Sequence, residues 1–406
     1  MQDESREAKV KRLKEKVLGA IDSRQKELTD ISLEIHRNPE LLFKEIKASR
    51  LLVDYLKNNG FRIEYPAYDL ETAFKASIGS SKPKIAIMAE YDAIPEVGHA
   101  CGHNLIGTSA VGAGVALASV MREIEGTVVV FGTPAEEGGN GKELLAKRGA
   151  FENVDAAMMI HPFNNDFLYN NTLALSDMVN IEYFGKEAHP TTPEKGVNAL
   201  DAMLIGFNAF KVMQPLFPTR INPGLITKGG TFIAVIPGHT TAQFILPAKN
   251  DKELKGALIV LENCFKAGAV ATGAKLEFRH DWEMRYRATY TNRVMADYFD
   301  ANIRTIRKNW NPSAAFPGSE VGATDMGSVS QITPSIHVFI AIMPPDTAWH
   351  TAESAIASAS EEGHKVMLDG AKAMAMTTLD LILNPEILRK AHDEFTETLK
   401  HIKGHL

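Results

Sequence analysis

An alternation of short apolar runs with helical segments constrains the fold of this 406-residue chain more than any other feature of its sequence. Apolar runs at residues 85–88, 127–131 and 156–160 each end in a polar cluster, and a helical segment rich in Gly and Ala spans about residues 108–123. Such alternation is typical of βαβ units, which build a largely parallel sheet with helices on its faces. The sequence therefore predicts an α/β fold with a mostly parallel sheet.

Between residues 177 and 289 the pattern changes to that of a second, smaller domain. Strand-like segments at 179–184, around Thr231, at 241–246 and at 275–280 alternate with helical segments at 197–213 and 251–271. This βαββαβ order is the ferredoxin-like pattern. We therefore predict one domain formed by residues 1–176 and 290–406, with residues 177–289 inserted into it as a separate domain.

Composition and charge exclude several classes of function. A hydrophobic content of 45% is ordinary for a globular protein and predicts a chain that folds throughout. The net charge is -6 and Lys and Arg do not cluster, so nucleic acid is not expected as a partner. No apolar run approaches the length of a membrane span, so no membrane partner is expected either. Only two cysteines are present, Cys101 and Cys264, which predicts a cytoplasmic protein without disulfides.

Side chains that can bind metal ions follow four of the predicted strands, at the points where the strands end. They are Glu90, Asp92, Cys101 and His103 after the first strand, Glu136 and Glu137 after the second, His161 after the third, and His350 after an apolar run at 336–343. Ligands bind at the carboxyl ends of parallel strands, so we expect these side chains to converge. Each motif alone has an ordinary structural explanation, but four at equivalent strand ends predict a metal site.

The chemistry of such a site follows from its donor set. A bridging thiolate or carboxylate and neutral imidazoles can hold two divalent ions, which share one water and lower its pKa toward neutrality. An adjacent carboxylate that is not a ligand can take the proton and later return it to a leaving nitrogen. Two neighbouring glutamates can divide these tasks, one on metal and one as the base.

Six motifs, in order along the chain, resemble those of a known family. They are EYDAIP at 90–95, GHACGHN at 98–104, PAEE at 134–137, IHP at 160–162, GKEAHP at 185–190 and HTAE at 350–353. This set resembles the amidohydrolase branch of the aminoacylase/carboxypeptidase metallopeptidases, which includes hippurate hydrolase, the auxin-conjugate hydrolases and aminobenzoyl-glutamate hydrolase. The resemblance implies metal-dependent hydrolysis of an amide bond in a small N-acyl amino acid, an aminobenzoyl-glutamate-like conjugate or a dipeptide.

The resemblance also implies a role for each site residue. Glu136 would be the general base, and Asp92 would orient a ligand histidine. The inserted domain of the family forms a homodimer, compatible with larger oligomers, and supplies a histidine that stabilises the oxyanion, commonly across the subunit interface. His189 is the candidate for that histidine. Two divalent ions per chain, Zn, Mn, Co or Ni, would be held by Cys101, His103, Glu137, His161 and His350, with Cys101 as the bridge.

The inserted domain departs from the family pattern at two places. Relatives carry an asparagine where this chain has Ala234, and an arginine on the next strand, which here ends at residues 244–247 without one. Whether the substrate carries an α-carboxylate is therefore open. Arg285 or Arg287 could replace the lost contact by pairing with a carboxylate in fork geometry, although solvated arginines explain both equally well.

Two further residues are predicted to contact the substrate. Asn292 lies close to Arg285 and Arg287 in sequence, where the chain returns to the larger domain. Thr324 lies in a loop of small polar residues at 318–330, which we expect to line the substrate pocket; a plain connecting loop is the alternative.

Two other classes of function compete with the hydrolase. A catalytically silent dimeric binding protein could retain the fold, and the altered inserted domain favours it, but such a protein does not need both Glu136 and Glu137. A thiol redox enzyme would use Cys101, but no resolving cysteine lies nearby in the sequence. The dinuclear hydrolase is therefore the leading hypothesis.

Overall fold

A computed structural model of the chain describes residues 5–169, 174–175, 178–216, 224–313 and 323–404. The chain divides into two compact units. The large unit contains Met1–Asn171, Thr289–Gly318 and Asp325–His405, and the small unit is formed mainly by Thr172–Ala288. The predicted domain boundary at 176/177 lies outside the described residues.

The helices and strands follow one another in three stretches of the chain. The first stretch contains α1 (Arg6–Asp22), α2 (Gln25–Arg37), α3 (Ile46–Asn58), β1 (Arg62–Glu64), β2 (Phe74–Gly79), β3 (Lys84–Ala89), α4 (His103–Ala118), β4 (Thr127–Gly132), α5 (Glu136–Gly139), α6 (Gly141–Lys147) and β5 (Ala156–Phe163). The second contains β6 (Ala174–Leu175), β7 (Val179–Phe184), α7 (Ala199–Met213), β8 (Leu225–Lys228), β9 (His239–Phe244), β10 (Pro247–Ala248), α8 (Asp251–Thr272) and β11 (Lys275–Arg279). The third contains α9 (Arg293–Ile306), α10 (Met326–Ser330), β12 (Ser335–Ala341), α11 (Ala352–Ala357), α12 (Glu361–Leu383) and α13 (Pro385–Gly404). Among the described residues, no helix combines the length and the apolar character needed to cross a bilayer.

The sheet of the large unit has the strand order β1-β2-β4-β3-β5-β12. Strands β4, β3, β5 and β12 are parallel, and the antiparallel pair β1 and β2 extends one edge. Alternate residues of β3 belong to different cores, with Ile85 and Ile87 in one cluster and Ala86 and Met88 in another. Both faces of β3 are therefore buried, as expected for a strand at the centre of a parallel sheet. The predicted α/β fold with a mostly parallel sheet is confirmed.

Helix α4 begins earlier than the sequence predicted. Gly102 precedes it with a φ of 76°, a left-handed conformation that redirects the chain and lets the helix begin at His103. The helix ends at Ala118 rather than near residue 123, and a short 3-10 turn, Met121–Glu123, follows it. Residues 103–117 are all buried, so α4 is a central element of the core and holds its first residue rigidly.

The small unit contains an antiparallel sheet with the order β11-β7-β9-β8. Val179, Ile181 and Tyr183 of β7 are buried in one core with residues of α7 and α8. The order β7, α7, β8, β9, α8, β11 confirms the predicted ferredoxin-like pattern. The strand predicted around Thr231 is wrong: β8 ends at Lys228, because the following Gly229-Gly230 pair turns the chain with a φ of 136° at Gly230.

Candidate metal centre

The carboxyl ends of β3, β4, β5 and β12 bring the predicted metal ligands together in the large unit. Ligand atoms of Cys101, His103 and His161 all lie within 4.8 Å of one another, and so do those of Cys101, Glu137 and His350. Each group is compact enough to surround one ion. Cys101 belongs to both groups, which is the position that a bridging thiolate requires.

Cys101 and His161 form the buried part of the site. The Cys101 Sγ lies 3.5 Å from the His161 Nε2. On the other side of the ring, Nδ1 lies 2.6 Å from the carbonyl oxygen of Pro162, so we assign the proton to Nδ1, which donates this hydrogen bond. Burial, with the nearby His337 and His103, lowers the pKa of His161 well below its ordinary value. The ring is therefore neutral, with Nε2 available as a ligand.

Asp92 orients His103 from behind. The His103 Nδ1 donates a 2.9 Å hydrogen bond to Oδ1 of Asp92, so Nε2 faces the other ligands. The second oxygen, Oδ2, accepts a 3.0 Å hydrogen bond from the backbone N–H of Glu137. Burial opposes the charge on Asp92, but His103 and this N–H hold the pKa of its carboxyl below the usual value. Asp92 thus ties one predicted ligand to the backbone of another.

A tight turn after β4 presents Glu136 and Glu137. The turn uses a left-handed residue, Ala135 with a φ of 60°, directly before the pair. Oε1 of Glu137 lies 3.6 Å from Nε2 of His350 and 3.9 Å from Nε2 of His103, and Oε2 of Glu136 lies 3.9 Å from the same His103 atom. Burial raises the pKa of Glu137 to about 7, and burial with the nearby Glu90 raises that of Glu136 well above its ordinary value.

The buried atoms at the centre of the site that have no hydrogen-bond partner among the described residues include Nε2 of His103 and Oε1 of Glu137. A buried polar atom without a partner costs free energy, and a bound cation would remove that cost. The donor set of one thiol, three imidazoles and a carboxylate suits Zn, Mn, Co or Ni ions. The residues therefore fit two divalent ions.

The structure adds residues to this neighbourhood that the sequence did not single out. Lys142 is fully buried, and its Nζ lies 2.5 Å from Oε1 of Glu90 and 2.6 Å from Oδ1 of Asp325. His337 is also buried, with its ring centroid 5.4 Å from that of His161. Asp325 appeared only as part of a predicted pocket loop, and nothing in the local pattern distinguishes Lys142 from a surface lysine.

Two of the predicted substrate contacts have partners within the protein. Both oxygens of Asp251 pair with the guanidinium of Arg285, at 2.7 and 3.2 Å, and Arg285 stacks over Trp282 within the small unit. Asn292 caps α9: its side-chain oxygen accepts a hydrogen bond from the backbone N–H of Met295, and its side-chain nitrogen donates to the carbonyl of Ala391. Arg285 and Asn292 thus have structural roles, and their contact with a substrate stays a prediction.

The remaining predicted residues are placed as follows. Arg287 is half-buried and Thr324 is buried, and their contacts with a substrate stay predictions. His189 of the small unit is exposed. Its Nδ1 accepts a hydrogen bond from the backbone N–H of Thr191, so we assign the ring proton to Nε2, where it can be donated to a ligand.

Comparisons with known proteins agree with this geometry. The sequence matches peptidase family M20/M25/M40 over residues 86–373. It is 33% identical to the Xaa-Arg dipeptidase of Mus musculus, covering 96% of this chain and 93% of that protein. It is 26% identical to a p-aminobenzoyl-glutamate hydrolase chain of Escherichia coli, covering 93% and 94%. A dinuclear metal-binding peptidase of family M20 from Bacillus subtilis has the same fold, with a TM-score of 0.62 at 18% identity, covering 89% of this chain and 99% of that one.

These matches extend over most of the chain and over nearly the whole length of the relatives. The family resemblance predicted from the six motifs is confirmed, and the silent binding protein is not retained as an alternative. This chain belongs to peptidase family M20/M25/M40 and is a metal-dependent hydrolase.

Proposed function

We propose that this hydrolase cleaves the amide bond of dipeptides or small N-acyl amino acids. One observation carries the proposal: an acidic pair, a thiol and three imidazoles converge at one sheet edge, with Nε2 of His103 and Oε1 of Glu137 left unpaired and buried among the described residues. A site that only bound a ligand would not need a second carboxylate, Glu136, beside the ligand set.

Five residues would hold the two divalent ions. When bound, the ions would lower the pKa of a water toward neutrality and polarise the amide carbonyl. Cys101 would be the ligand that the two ions share, because its thiol lies close both to His103 and His161 and to Glu137 and His350. The others are His103, Glu137, His161 and His350, and which of Zn, Mn, Co or Ni serves in the cell is left to experiment.

Glu136 would carry the proton. Its carboxylate accepts the proton of the attacking water and returns it to the leaving nitrogen, which requires a proton affinity well above that of an ordinary glutamate. Burial and the neighbouring Glu90 and Glu137 raise the pKa of Glu136 in the direction that this role needs. Asp92 would hold His103 in the tautomer that presents Nε2 to an ion.

His189 would donate a hydrogen bond to the oxyanion that forms when the water attacks the carbonyl. Its assigned proton on Nε2 supports the proposal, because only a donor can stabilise that negative charge. We propose the large unit as the catalytic domain and the small unit as the domain that supplies His189 and forms a homodimer.

The surface of the small unit supports a dimer. Exposed apolar side chains lie on its helices and on its edge strand β8, where a second chain could cover them. They are Leu204 and Val212 of α7, Leu225 of β8, and Ile259 and Val270 of α8. An edge strand also offers unpaired backbone groups to a second chain.

We propose a cytoplasmic location as well. Both cysteines, Cys101 and Cys264, are free and buried, which suits a reducing compartment.

Dipeptides with a C-terminal arginine are the first substrates to test. The Xaa-Arg dipeptidase is more similar to this chain than the p-aminobenzoyl-glutamate hydrolase chain is, at 33% against 26% identity over similar coverage. The ion pair of Arg285 with Asp251 occupies one of the two arginines predicted to pair with a substrate carboxylate, and Arg287 stays a candidate. The greater similarity to the Xaa-Arg dipeptidase therefore supports a substrate with a C-terminal cation.

The test is release of free amine by metal-stripped protein refilled separately with Mn, Zn, Co or Ni. The panel contains dipeptides ending in Arg, Lys, Glu or Ala, together with aminobenzoyl-glutamate and N-acetyl amino acids. We expect metal-dependent turnover that is fastest with the C-terminal arginine. If protein carrying two ions releases no amine from any member of the panel, the proposed function is wrong.

Variants of the acidic pair test the division of roles. Glu136→Ala should lower kcat by about 10²–10⁴-fold while the protein still binds two ions. Glu137→Ala should lower kcat together with metal content, measured by atomic emission on the same samples. If Glu136→Ala loses metal and Glu137→Ala does not, the two roles must be exchanged.

A further inference from the structure

A buried chain of three charged residues, Glu90–Lys142–Asp325, lies beside the candidate metal centre, and none of the three is a metal ligand in the proposed function. Lys142 and Asp325 are completely buried, and Glu90 is 1% exposed. The Nζ of Lys142 lies between the two carboxylates, 2.5 Å from Glu90 and 2.6 Å from Asp325. Burying three charges is costly even when they pair, so a purely structural chain of this kind gives little stability in return.

Lys142 is fixed at both its backbone and its side chain. Its backbone N–H donates a 2.8 Å hydrogen bond to Oδ2 of Asp325, while its ammonium contacts Oδ1 of the same carboxylate. The preceding residue, Gly141, packs so closely that a Cβ there would lie 1.8 Å from the carbonyl oxygen of Pro134. The start of α6 is therefore closely packed against the turn after β4, and the ammonium contacts Oε1 of Glu90 from this position.

The other oxygen of Glu90 faces the metal centre. Oε2 is buried, has no hydrogen-bond partner in the described part of the chain, and lies 3.4 Å from Nε2 of His103, which is equally unpaired. Two donor atoms that share one tetrahedral ion through bonds of about 2.0–2.2 Å lie about 3.4 Å apart. The Cys101 Sγ and His161 Nε2 show a similar spacing, 3.5 Å.

We propose that Glu90 is a further ligand of the ion bound by His103, through Oε2, and that Lys142 and Asp325 are positioning residues that hold Glu90 in place. This inference rests on the proposed two-metal function. It explains why a lysine is buried here. The ammonium of Lys142 offsets the negative charges of Glu90 and Asp325, and it directs the other oxygen of Glu90 toward the ion.

The experiment measures metal binding rather than turnover. Metal-stripped full-length protein is titrated with Co²⁺; a chromophoric chelator competes for the ions, and the visible absorption of bound Co²⁺ reports the ligand set. Glu90→Ala should weaken binding of one of the two ions by at least about 100-fold and change its spectrum, since a ligand is lost. Glu90→Gln keeps the shape of the side chain and an acceptor for Lys142. It should still weaken the binding of the same ion, because the charged carboxylate is lost.

The positioning residues have their own readout. Asp325→Asn should weaken the binding of that ion by about 10–100-fold, because Lys142 loses the charged carboxylate that is its second partner. In the Glu90→Ala background, Asp325→Asn should cause no further loss, since there is no carboxylate left to position. Lys14→Met is the control. The Nζ of Lys14 also contacts two acceptors, Asn302 and Asp380, at 2.8 and 2.7 Å. Its replacement should leave the affinity for both ions unchanged.

Each outcome is distinguishable. If the unchanged protein binds two ions and both Glu90 variants bind them with the same affinity and spectrum, Glu90 is not a ligand and this inference fails alone. If the unchanged protein binds no ion, the proposed function fails with it. Circular dichroism of the metal-free protein shows whether Glu90→Ala is folded. If it is not, the metal affinity and Co²⁺ spectrum of the isosteric Glu90→Gln variant test the inference instead.

Discussion

At the scale of single residues, Asp92 organises the site by using both of its oxygens. One oxygen accepts from Nδ1 of His103 and the other from the backbone N–H of Glu137, at 2.9 and 3.0 Å. A carboxylate can accept both hydrogen bonds, but an amide would place an NH₂ group against one of the two donors. One buried acid thus fixes a ring tautomer and a backbone position at the same time.

Asp92→Asn should therefore weaken metal binding by about 10–100-fold, as the loss of a carboxylate behind a ligand histidine generally does. Chelator competition with Co²⁺ measures the change. Asp155→Asn is the control, because Asp155 also accepts from a backbone N–H, that of Lys84, at 2.7 Å, but belongs to no group of candidate ligands among the described residues. Equal metal affinity of both variants would contradict the role given to Asp92.

At the scale of elements, the loop between β3 and α4 determines how two ligands are spaced. Gly102 lies between Cys101 and His103 with a φ of 76°, and a Cβ there would lie 2.5 Å from Cγ of Pro162, which follows the ligand His161. The left-handed glycine thus allows a thiol and an imidazole from one short segment to face the same position.

Gly102→Ala should cost at least about 1–2 kcal/mol of unfolding free energy for the left-handed backbone, and more for the contact with Pro162. It should also weaken metal binding, because the ligand loop must move. Gly273→Ala separates the two effects: Gly273 has a φ of 77° with no atom within 4 Å of the added Cβ. Urea denaturation of both variants, with metal titration, checks this; equal losses in stability would show that Pro162 contributes nothing.

At the scale of the whole molecule, the proposed dimer and the proposed oxyanion histidine make a joint prediction. If His189 acts across the subunit interface, a mixed dimer of a Glu136→Ala chain and a His189→Ala chain contains one complete site. Mixing the two inactive proteins under conditions of subunit exchange should then restore about a quarter of the unmixed wild-type activity, because half of the dimers are mixed and half of their sites are complete.

The control is each variant mixed with itself, which should remain inactive. Analytical ultracentrifugation of Val212→Glu, which places a charge on the exposed face of α7, should show loss of the dimer if that face is buried in the interface. Mixtures that stay inactive, although dimers exchange, would show that His189 acts within its own chain or not at all.

The sequence by itself determined the fold class and the candidate ligands that meet at the sheet edge, because both depend on local patterns. Apolar runs of strand length, each followed by a ligand, place Cys101, Glu137 and His161 at one edge of a parallel sheet whatever the details of the loops. The βαββαβ order of the small unit likewise follows from alternation along the chain.

Only the tertiary structure decided which polar residues meet. Lys142 and Asp325 are 183 positions apart in the chain, and Asp251 is 34 positions from Arg285, so no local pattern could pair them. The internal ion pair of Arg285 was therefore not predicted, and the chain from Asp325 through Lys142 to Glu90 was missed. Periodicity shows which face of an element is buried, but the pairing of buried charges depends on the packing of distant segments.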